Sequence, residues 1–321
     1  MTTILRRESK MPALTGANEW LNADPLTASD LRGRVVLVDF GTYTCINWLR
    51  TLPHIRAWEQ KYGEAGLVVV GIQTPEFAFE QSLDSVRREV TARGIGWPVA
   101  VDNRYEIWRA FSNRYWPALY FVDREGVIRD HHFGEGRYEQ SERVIQELLG
   151  LPRDDLVSVH GKGAEAEADW AHLNSAETYL GSERTQSFAS PGGIGVGEAR
   201  AFTAPQHLKL NHWALSGSWA IREDRVVLTA AGGGILFRFH SRDVHLVLRR
   251  ADDGQTVPFR VLLDGEAPAA AHGVDLDGGG KGLLDDDRLY QLIRQPDRVE
   301  ERTFEIAFHG SGVEAYVFTF G

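Results

Sequence analysis

Cys45 is the residue of this chain whose position and neighbours best suit covalent chemistry. It is the only cysteine among 321 residues. It follows the apolar residues 35–38, which predict a buried strand, and it precedes residues 48–52, which predict the start of a helix. The unpaired N–H groups of a helix N-terminus favour the thiolate, the nucleophilic form of cysteine. The position therefore predicts a reactive thiol; the alternative is a small buried core residue.

A single cysteine limits the chemistry to three possibilities. It excludes an internal disulfide and a multi-cysteine metal site. The thiolate would attack a substrate disulfide, leaving a mixed disulfide for an external thiol to resolve, or it would reduce a peroxide through a sulfenic acid. The third possibility is a thiol that is reactive but not catalytic. Thr42 and Thr44 would donate hydrogen bonds to the thiolate, or else serve only the turn.

The sequence around Cys45 resembles the active-site strand and turn of thioredoxin-like proteins. The resemblance rests on residues 34–40 followed by Thr42-x-x-Cys45, on Pro53 eight residues later, and on Trp116-Pro117 ahead of the apolar residues 118–122. It is strongest to the C-terminal part of DipZ-type proteins, in the TlpA/redoxin branch, and it extends over nearly the whole chain.

The resemblance implies roles for four further residues. Asp39 would be the buried carboxylate that exchanges a proton with the thiol, and burial would raise its pKa. Pro117 would follow a cis peptide bond and, with Trp116, would present the backbone edge that binds an extended substrate. Glu76 would be an acidic residue near the site. The alternatives are a strand-end carboxylate for Asp39 and a turn proline for Pro117.

The chain departs from the family pattern at two positions. Trp48 occupies the place of the second cysteine in Cys-x-x-Cys, and Gly41 occupies a place that is usually aromatic. The internal disulfide of the family is therefore impossible here. Trp48 would either fill the space that Gly41 leaves open, as part of the core, or form a stacking surface over the thiol. Finding the two positions far apart would exclude the volume exchange.

The order of elements predicts two domains. Strands and helices alternate in residues 1–150, which predicts an α/β thioredoxin-like domain with a mixed sheet. Residues 151–169 predict a linker. Residues 170–321 contain short alternating strands with glycine turns, which predict an all-β sandwich of the jelly-roll type. In DipZ-type proteins this region resembles a carbohydrate-binding module.

Composition excludes several classes of function. The formal charge of −10 argues against nucleic acid as a partner, because phosphate binding needs clustered basic residues. No apolar run approaches the roughly 20 residues of a membrane-spanning helix, so no membrane partner is predicted. Residues 1–14 lack the apolar core of a signal peptide, and the expected location is the cytoplasm.

The second domain offers two weaker candidates. Trp213, Trp219 and Tyr290 would form a sugar-stacking platform, or else pack in the core. Residues 275–280, with the acidic residues 285–287 after them, partly match a calcium loop, but Gly279 stands where a ligand is needed, so an acidic glycine turn is the preferred interpretation. No metal and no cofactor are predicted.

The sequence thus predicts a thiol-based oxidoreductase that uses Cys45 in a one-cysteine cycle, with an external thiol, a disulfide or a peroxide as reaction partner. The competing hypothesis is a non-catalytic binding module on a thioredoxin fold that has lost the cycle. A sugar-binding protein is the third hypothesis, and it requires an exposed row of aromatic side chains. The sandwich would bind a partner, dock on the first domain or mediate a homodimer.

Overall fold

The computed structural model describes residues 8–153, 155–251 and 255–321. The chain divides into two compact units, Met1–Ala166 and Glu167–Gly321. The first seven residues of the segment 1–14, which we predict not to be a signal peptide, lie outside the described residues.

The first unit contains a six-stranded mixed sheet in the order β1-β4-β3-β2-β5-β6. Strands β2, β3 and β4 are parallel, while β1, β5 and β6 pair antiparallel with their neighbours. The strands are β1 Glu19–Leu21, β2 Val35–Gly41, β3 Leu67–Gln73, β4 Val99–Val101, β5 Ala118–Val122 and β6 Ile128–Phe133. The predicted thioredoxin-like α/β fold is confirmed.

The helices that accompany this sheet are α1 Ile46–Tyr62, α2 Leu83–Ala92, α3 Glu106–Ala110 and α4 Tyr138–Leu149, with a short 3-10 helix at Ala78–Gln81. The apolar spacing of residues 79–91 is typical of one helix, but the segment is split, because Ser82 has an extended backbone and its side chain caps α2 by accepting from Ser85 N–H. Among the described residues, no helix combines the length and apolar character needed to cross a bilayer.

Strand β2 is the centre of the first unit. All seven of its residues are buried, and one of its faces packs Val38 and Phe40 against Ile107 and Tyr120. Its register with β5 pairs Phe40 with Ala118. The end of β2 that leads to Cys45 therefore lies beside the residue that follows Pro117.

The boundary after the first unit differs from the prediction. Residues 151–166, predicted as part of a linker at 151–169, belong to the first unit. The buried Glu142 on α4 explains this, because it accepts hydrogen bonds from Val157 N–H at 3.0 Å and from the Tyr62 hydroxyl at 2.6 Å. Arg56 on α1 also pairs with Glu165. Specific polar contacts hold this segment on the first domain.

The second unit is an all-antiparallel sheet of eleven strands that curls on itself into a sandwich. Its strands are β7 Thr178–Tyr179, β8 Arg200–Phe202, β9 Trp213–Ile221, β10 Val226–Leu228, β11 Gly234–His240, β12 Asp243–Arg250, β13 Val257–Leu263, β14 Lys281–Leu284, β15 Arg288–Arg294, β16 Glu301–Phe308 and β17 Val313–Phe320.

Strand β9 joins the two layers of this sandwich. Its first half pairs with β11 and its second half with β10. Gly217 lies between the halves with φ +91°, and a Cβ there would come within 2.6 Å of Gly233 Cα. Only glycine fits this crossing, because the backbone is left-handed and a second backbone approaches it.

The structure distinguishes the alternatives for both candidates in the second domain. The side chains of Trp213, Trp219 and Tyr290 are each 0% exposed, so the sugar-stacking platform is wrong: these rings form the core. In the acidic loop, Asp277 Oδ1 accepts from Lys281 N–H at 2.8 Å, and Asp275 Oδ2 accepts from Gln291 N–H at 2.7 Å. These carboxylates serve the turn.

The hydrogen bonds of Glu142 make a prediction about the segment at residues 155–165. In a Glu142→Ala variant, buried donors on α1 and at Val157 lose their acceptor, which costs about 1–3 kcal/mol. We expect limited proteolysis within this segment, followed by mass spectrometry, to be about tenfold faster than in the wild type. Glu139→Ala, an exposed position on the same helix, is the control; equal cleavage of both variants would contradict the prediction.

Candidate active site around Cys45

Cys45 is the N-cap residue of α1, with φ −76° and ψ 109°. Its N–H donates to the Thr42 carbonyl at 3.1 Å, and its own carbonyl accepts from Leu49 N–H at 3.0 Å. Cys45 is half-buried. It lies at the positive end of a 17-residue helix, an environment that favours a thiolate.

The two threonines that flank this turn point to a carboxylate. The hydroxyls of Thr42 and Thr44 donate to Glu80 Oε1 at 2.7 and 2.6 Å. Gln73 Nε2 donates in turn to the Thr42 hydroxyl at 2.9 Å. The prediction that these hydroxyls donate to the thiolate is wrong, because their protons are used by Glu80.

Glu80 is the site residue that the sequence analysis missed. It is 0% exposed, and its Oε2 accepts from the backbone N–H groups of Glu76 and Phe77. Burial raises its pKa from 4.5 to about 7, and the hydrogen bonds from Thr44 and Thr42 act in the opposite direction. The acidic side chain next to the turn is thus Glu80, whereas Glu76, the predicted candidate, contributes its backbone N–H.

A second buried carboxylate lies on β2. Asp39 is 1% exposed, and its Oδ2 accepts a hydrogen bond from the Trp48 indole Nε1 at 3.0 Å. Its Oδ1 has no hydrogen-bond partner among the described residues. Burial raises the pKa of Asp39 from 3.8 to about 7, with the indole hydrogen bond opposing the shift. Asp39 thus changes its charge near neutral pH.

Gly41 and Trp48 occupy one space. A Cβ on Gly41 would lie 2.1 Å from Trp48 Nε1, far inside any permitted contact, and the indole is only 7% exposed. The predicted volume exchange is confirmed: the missing side chain at Gly41 makes room for the ring that replaces the second cysteine. The indole is packed in the core, so it offers no stacking surface to a ligand.

The loop before β5 completes the site. The Trp116–Pro117 peptide bond is cis. Trp116 Nε1 donates to the Thr74 carbonyl at 3.0 Å, and Thr74 N–H donates to the Gly41 carbonyl at 3.1 Å. These two bonds connect the loop to the end of β2, four residues before Cys45.

Comparisons with known proteins agree with this architecture. Residues 8–131 match the model of the AhpC/TSA family, and residues 175–321 match the model described as the thioredoxin like C-terminal domain. The chain thus combines a thioredoxin-like domain, which we call the redoxin domain, with a C-terminal β-sandwich.

Individual proteins are similar to different parts of this chain. The chain is 32% identical over 320 residues to Protein DipZ of Mycobacterium tuberculosis, covering 97% of this chain and 42% of DipZ. It is 24% identical over 145 residues to the thiol-disulfide oxidoreductase YkuV of Bacillus subtilis, covering 45% of this chain and 97% of YkuV. A solved structure titled as a thioredoxin-like protein in the oxidized form aligns with 46% of this chain and 98% of its own, at 27% identity and a TM-score of 0.42. The chain thus spans less than half the length of DipZ.

The shared space of Gly41 and Trp48 predicts a strong coupling between them. Gly41→Ala places a methyl group on the indole, and we expect it to lower the free energy of unfolding by about 2 kcal/mol. The same change made in a Trp48→Ala background should cost far less. Urea unfolding of the four proteins in this double-mutant cycle measures the coupling; additive losses would contradict the contact.

The raised pKa of Asp39 predicts how stability depends on pH. In the unfolded chain, Asp39 releases its proton near its ordinary pKa of 3.8. In the folded protein, it keeps the proton until the pH passes about 7. Its contribution to stability is thus present at low pH and is lost as the pH rises from about 4 to about 7, by about 4 kcal/mol in all.

Asp39→Asn removes this titration and keeps an oxygen for the indole. We expect the variant to gain stability relative to the wild type on going from about pH 5 to about pH 8, as measured by urea unfolding of the redoxin domain. Asp84→Asn, an exposed change on α2, is the control. Parallel pH profiles of wild type and Asp39→Asn would contradict the assignment.

Proposed function

We propose that this redoxin is a thiol-based oxidoreductase that uses Cys45 in a one-cysteine cycle. The observation that carries the proposal is the position of Cys45, a half-buried residue at the N-terminus of α1, with a buried indole at the place of the second cysteine. The name of one relative, the thiol-disulfide oxidoreductase YkuV, denotes the same class of reaction.

The cycle has two exchange steps. The Cys45 thiolate attacks one sulfur of a substrate disulfide, forms a mixed disulfide and releases the other sulfur as a thiolate. An external thiolate then attacks the partner's sulfur, releases it as a new disulfide and restores the Cys45 thiolate. Electrons balance because each step exchanges one S–S bond for another. A low-molecular-weight thiol of the cytoplasm is the external reagent that we propose.

The two buried carboxyl groups would supply protons near neutral pH. The pKa of Asp39 and that of Glu80 are both raised to about 7 by burial. A group with a pKa near the working pH exchanges protons with least cost. Glu80 is joined to the turn through Thr42 and Thr44, so we assign it, together with Asp39, the role of buffering the charge that appears when the thiol ionises.

Two measurements test the proposal against its competitors. We expect alkylation of Cys45 by iodoacetamide to titrate with a midpoint below the ordinary thiol pKa of about 8.5, and disulfide reduction to depend on added external thiol. Cys45→Ser is the control and should abolish both. A midpoint above that value, with equal disulfide reduction by both proteins, would show a non-catalytic binding module. Peroxide consumption without disulfide exchange would show that the cycle passes through a sulfenic acid.

The proposal also predicts what restoring the second cysteine would do. Trp48→Cys should form an internal disulfide with Cys45 and should resolve mixed disulfides without external thiol. Loss of the buried indole should also destabilise the redoxin domain by about 3 kcal/mol. Adding Gly41→Phe should recover part of this stability, because the new ring fills the space. Thiol counting after oxidation measures the first effect; two unchanged thiols would contradict it.

A further inference from the structure

A buried ion pair connects α1 to the loop after β6. Arg50 Nη1 lies 2.9 Å from Glu135 Oε1, and the two side chains are only 2% and 6% exposed. Arg50 lies five residues after Cys45, and Glu135 lies two residues after the end of β6. Neither residue belongs to the Cys45 turn, and neither is in the polar contacts described for Asp39 and Glu80.

The loop that carries Glu135 also holds the backbone of Pro117. Gly134 N–H donates to the Pro117 carbonyl at 2.9 Å, and Glu135 is the next residue. Gly134, Gly136 and Arg137 all have left-handed backbones, with φ of +82°, +88° and +52°. Glycine adopts this conformation without a Cβ penalty, and Glu135 lies between two such glycines, so a shift of Glu135 directly moves Gly134, the residue that holds Pro117.

A second contact joins the first residue of α4, which follows this loop, to α1. The Tyr138 hydroxyl donates to the Arg50 carbonyl at 3.3 Å. The Tyr138 ring stacks on His54 of α1 with centroids 3.6 Å apart and planes inclined by 9°. The loop is therefore attached to α1 at Arg50 through Glu135, and the start of α4 is attached at Arg50 and one turn further along, at His54.

The energetics of a buried ion pair suggest a role in geometry. The cost of removing both charges from water offsets most of their attraction, so an apolar pair of equal volume would stabilise the fold as well. The charged pair differs from an apolar pair because it loses its hydrogen bond when its atoms move apart. Such a contact favours one spacing of the elements it joins.

We propose that Arg50 and Glu135 are positioning residues that fix the Pro117 backbone relative to the Cys45 sulfur. The inference rests on the proposed function, since it concerns the same site. A peptide disulfide must place its sulfur at Cys45 and its backbone along the Trp116–Pro117 edge at once. A small alkylating reagent needs the sulfur alone, so the two reactions should respond differently when the pair is broken.

The test compares these two reactions in the full chain. The first probe is a cysteine peptide joined by a disulfide to thionitrobenzoate. The Cys45 thiolate bonds to the peptide sulfur, the S–S bond breaks, and coloured thionitrobenzoate leaves as the thiolate. The second probe is iodoacetamide. The variants are Glu135→Gln and the apolar double variant Arg50→Met with Glu135→Leu; Glu89→Gln, which breaks the Arg93 pair on α2, is the control.

We expect the rate of peptide exchange to fall about tenfold to a hundredfold in Glu135→Gln and in the double variant, as for a displaced reacting group. The alkylation rate and its pH midpoint should stay at wild-type values, and Glu89→Gln should match the wild type in both reactions. The double variant should also unfold at the wild-type temperature, which separates loss of position from loss of fold.

Three results would overturn the inference. Unchanged peptide exchange would show that the pair does not set the position of Pro117. An equal fall in alkylation would show general damage to the site. A shifted pH midpoint for alkylation would show that the Arg50 charge acts on the thiolate itself. If the wild type itself does not exchange with any disulfide, the proposed function is wrong. This outcome differs from the three above, in which the wild type exchanges and only the role of the ion pair fails.

Discussion

The hydrogen bond from the Trp48 indole to Asp39 is the interaction on which the architecture of this site depends. It places a large ring at the position of the second sulfur in related redoxins, and the ring fits only because Gly41 has no side chain. The same bond supplies the buried Asp39 carboxylate with a donor, the indole N–H, that cannot form a disulfide. This contact therefore accounts for three features of the site. The second cysteine is replaced by a ring, the core stays packed, and a buried carboxylate titrates near neutral pH.

The site that results has a lone sulfur and two buried acids. Cys45 ends the turn at the start of α1, where the backbone N–H groups favour its charged form. Glu80 accepts hydrogen bonds from the Thr42 and Thr44 hydroxyls, so these side chains stabilise the turn that carries Cys45. A half-buried cysteine on such a turn, with no second cysteine in the chain, suits an exchange that a second molecule completes.

Local patterns in the sequence predicted the elements, and long-range packing determined the rest. The apolar strand before Cys45 and the proline before β5 are short-range signals, and both lie where they were expected. Glu80 escaped notice because nothing in residues 77–81 shows that the segment folds back over a turn some 38 residues earlier in sequence. For the same reason the sequence did not reveal that Glu142 binds residue 157, or that Trp213 and Trp219 are entirely enclosed by strands.

The central claim is that a single sulfur forms a mixed disulfide that the protein cannot resolve alone. Intact-mass spectrometry after reaction with glutathione disulfide tests it directly. The account predicts one glutathione adduct on Cys45 that persists after excess reagent is removed and disappears when an external thiol is added. A protein that stays unmodified at every pH, or that loses the adduct without an added thiol, would contradict it.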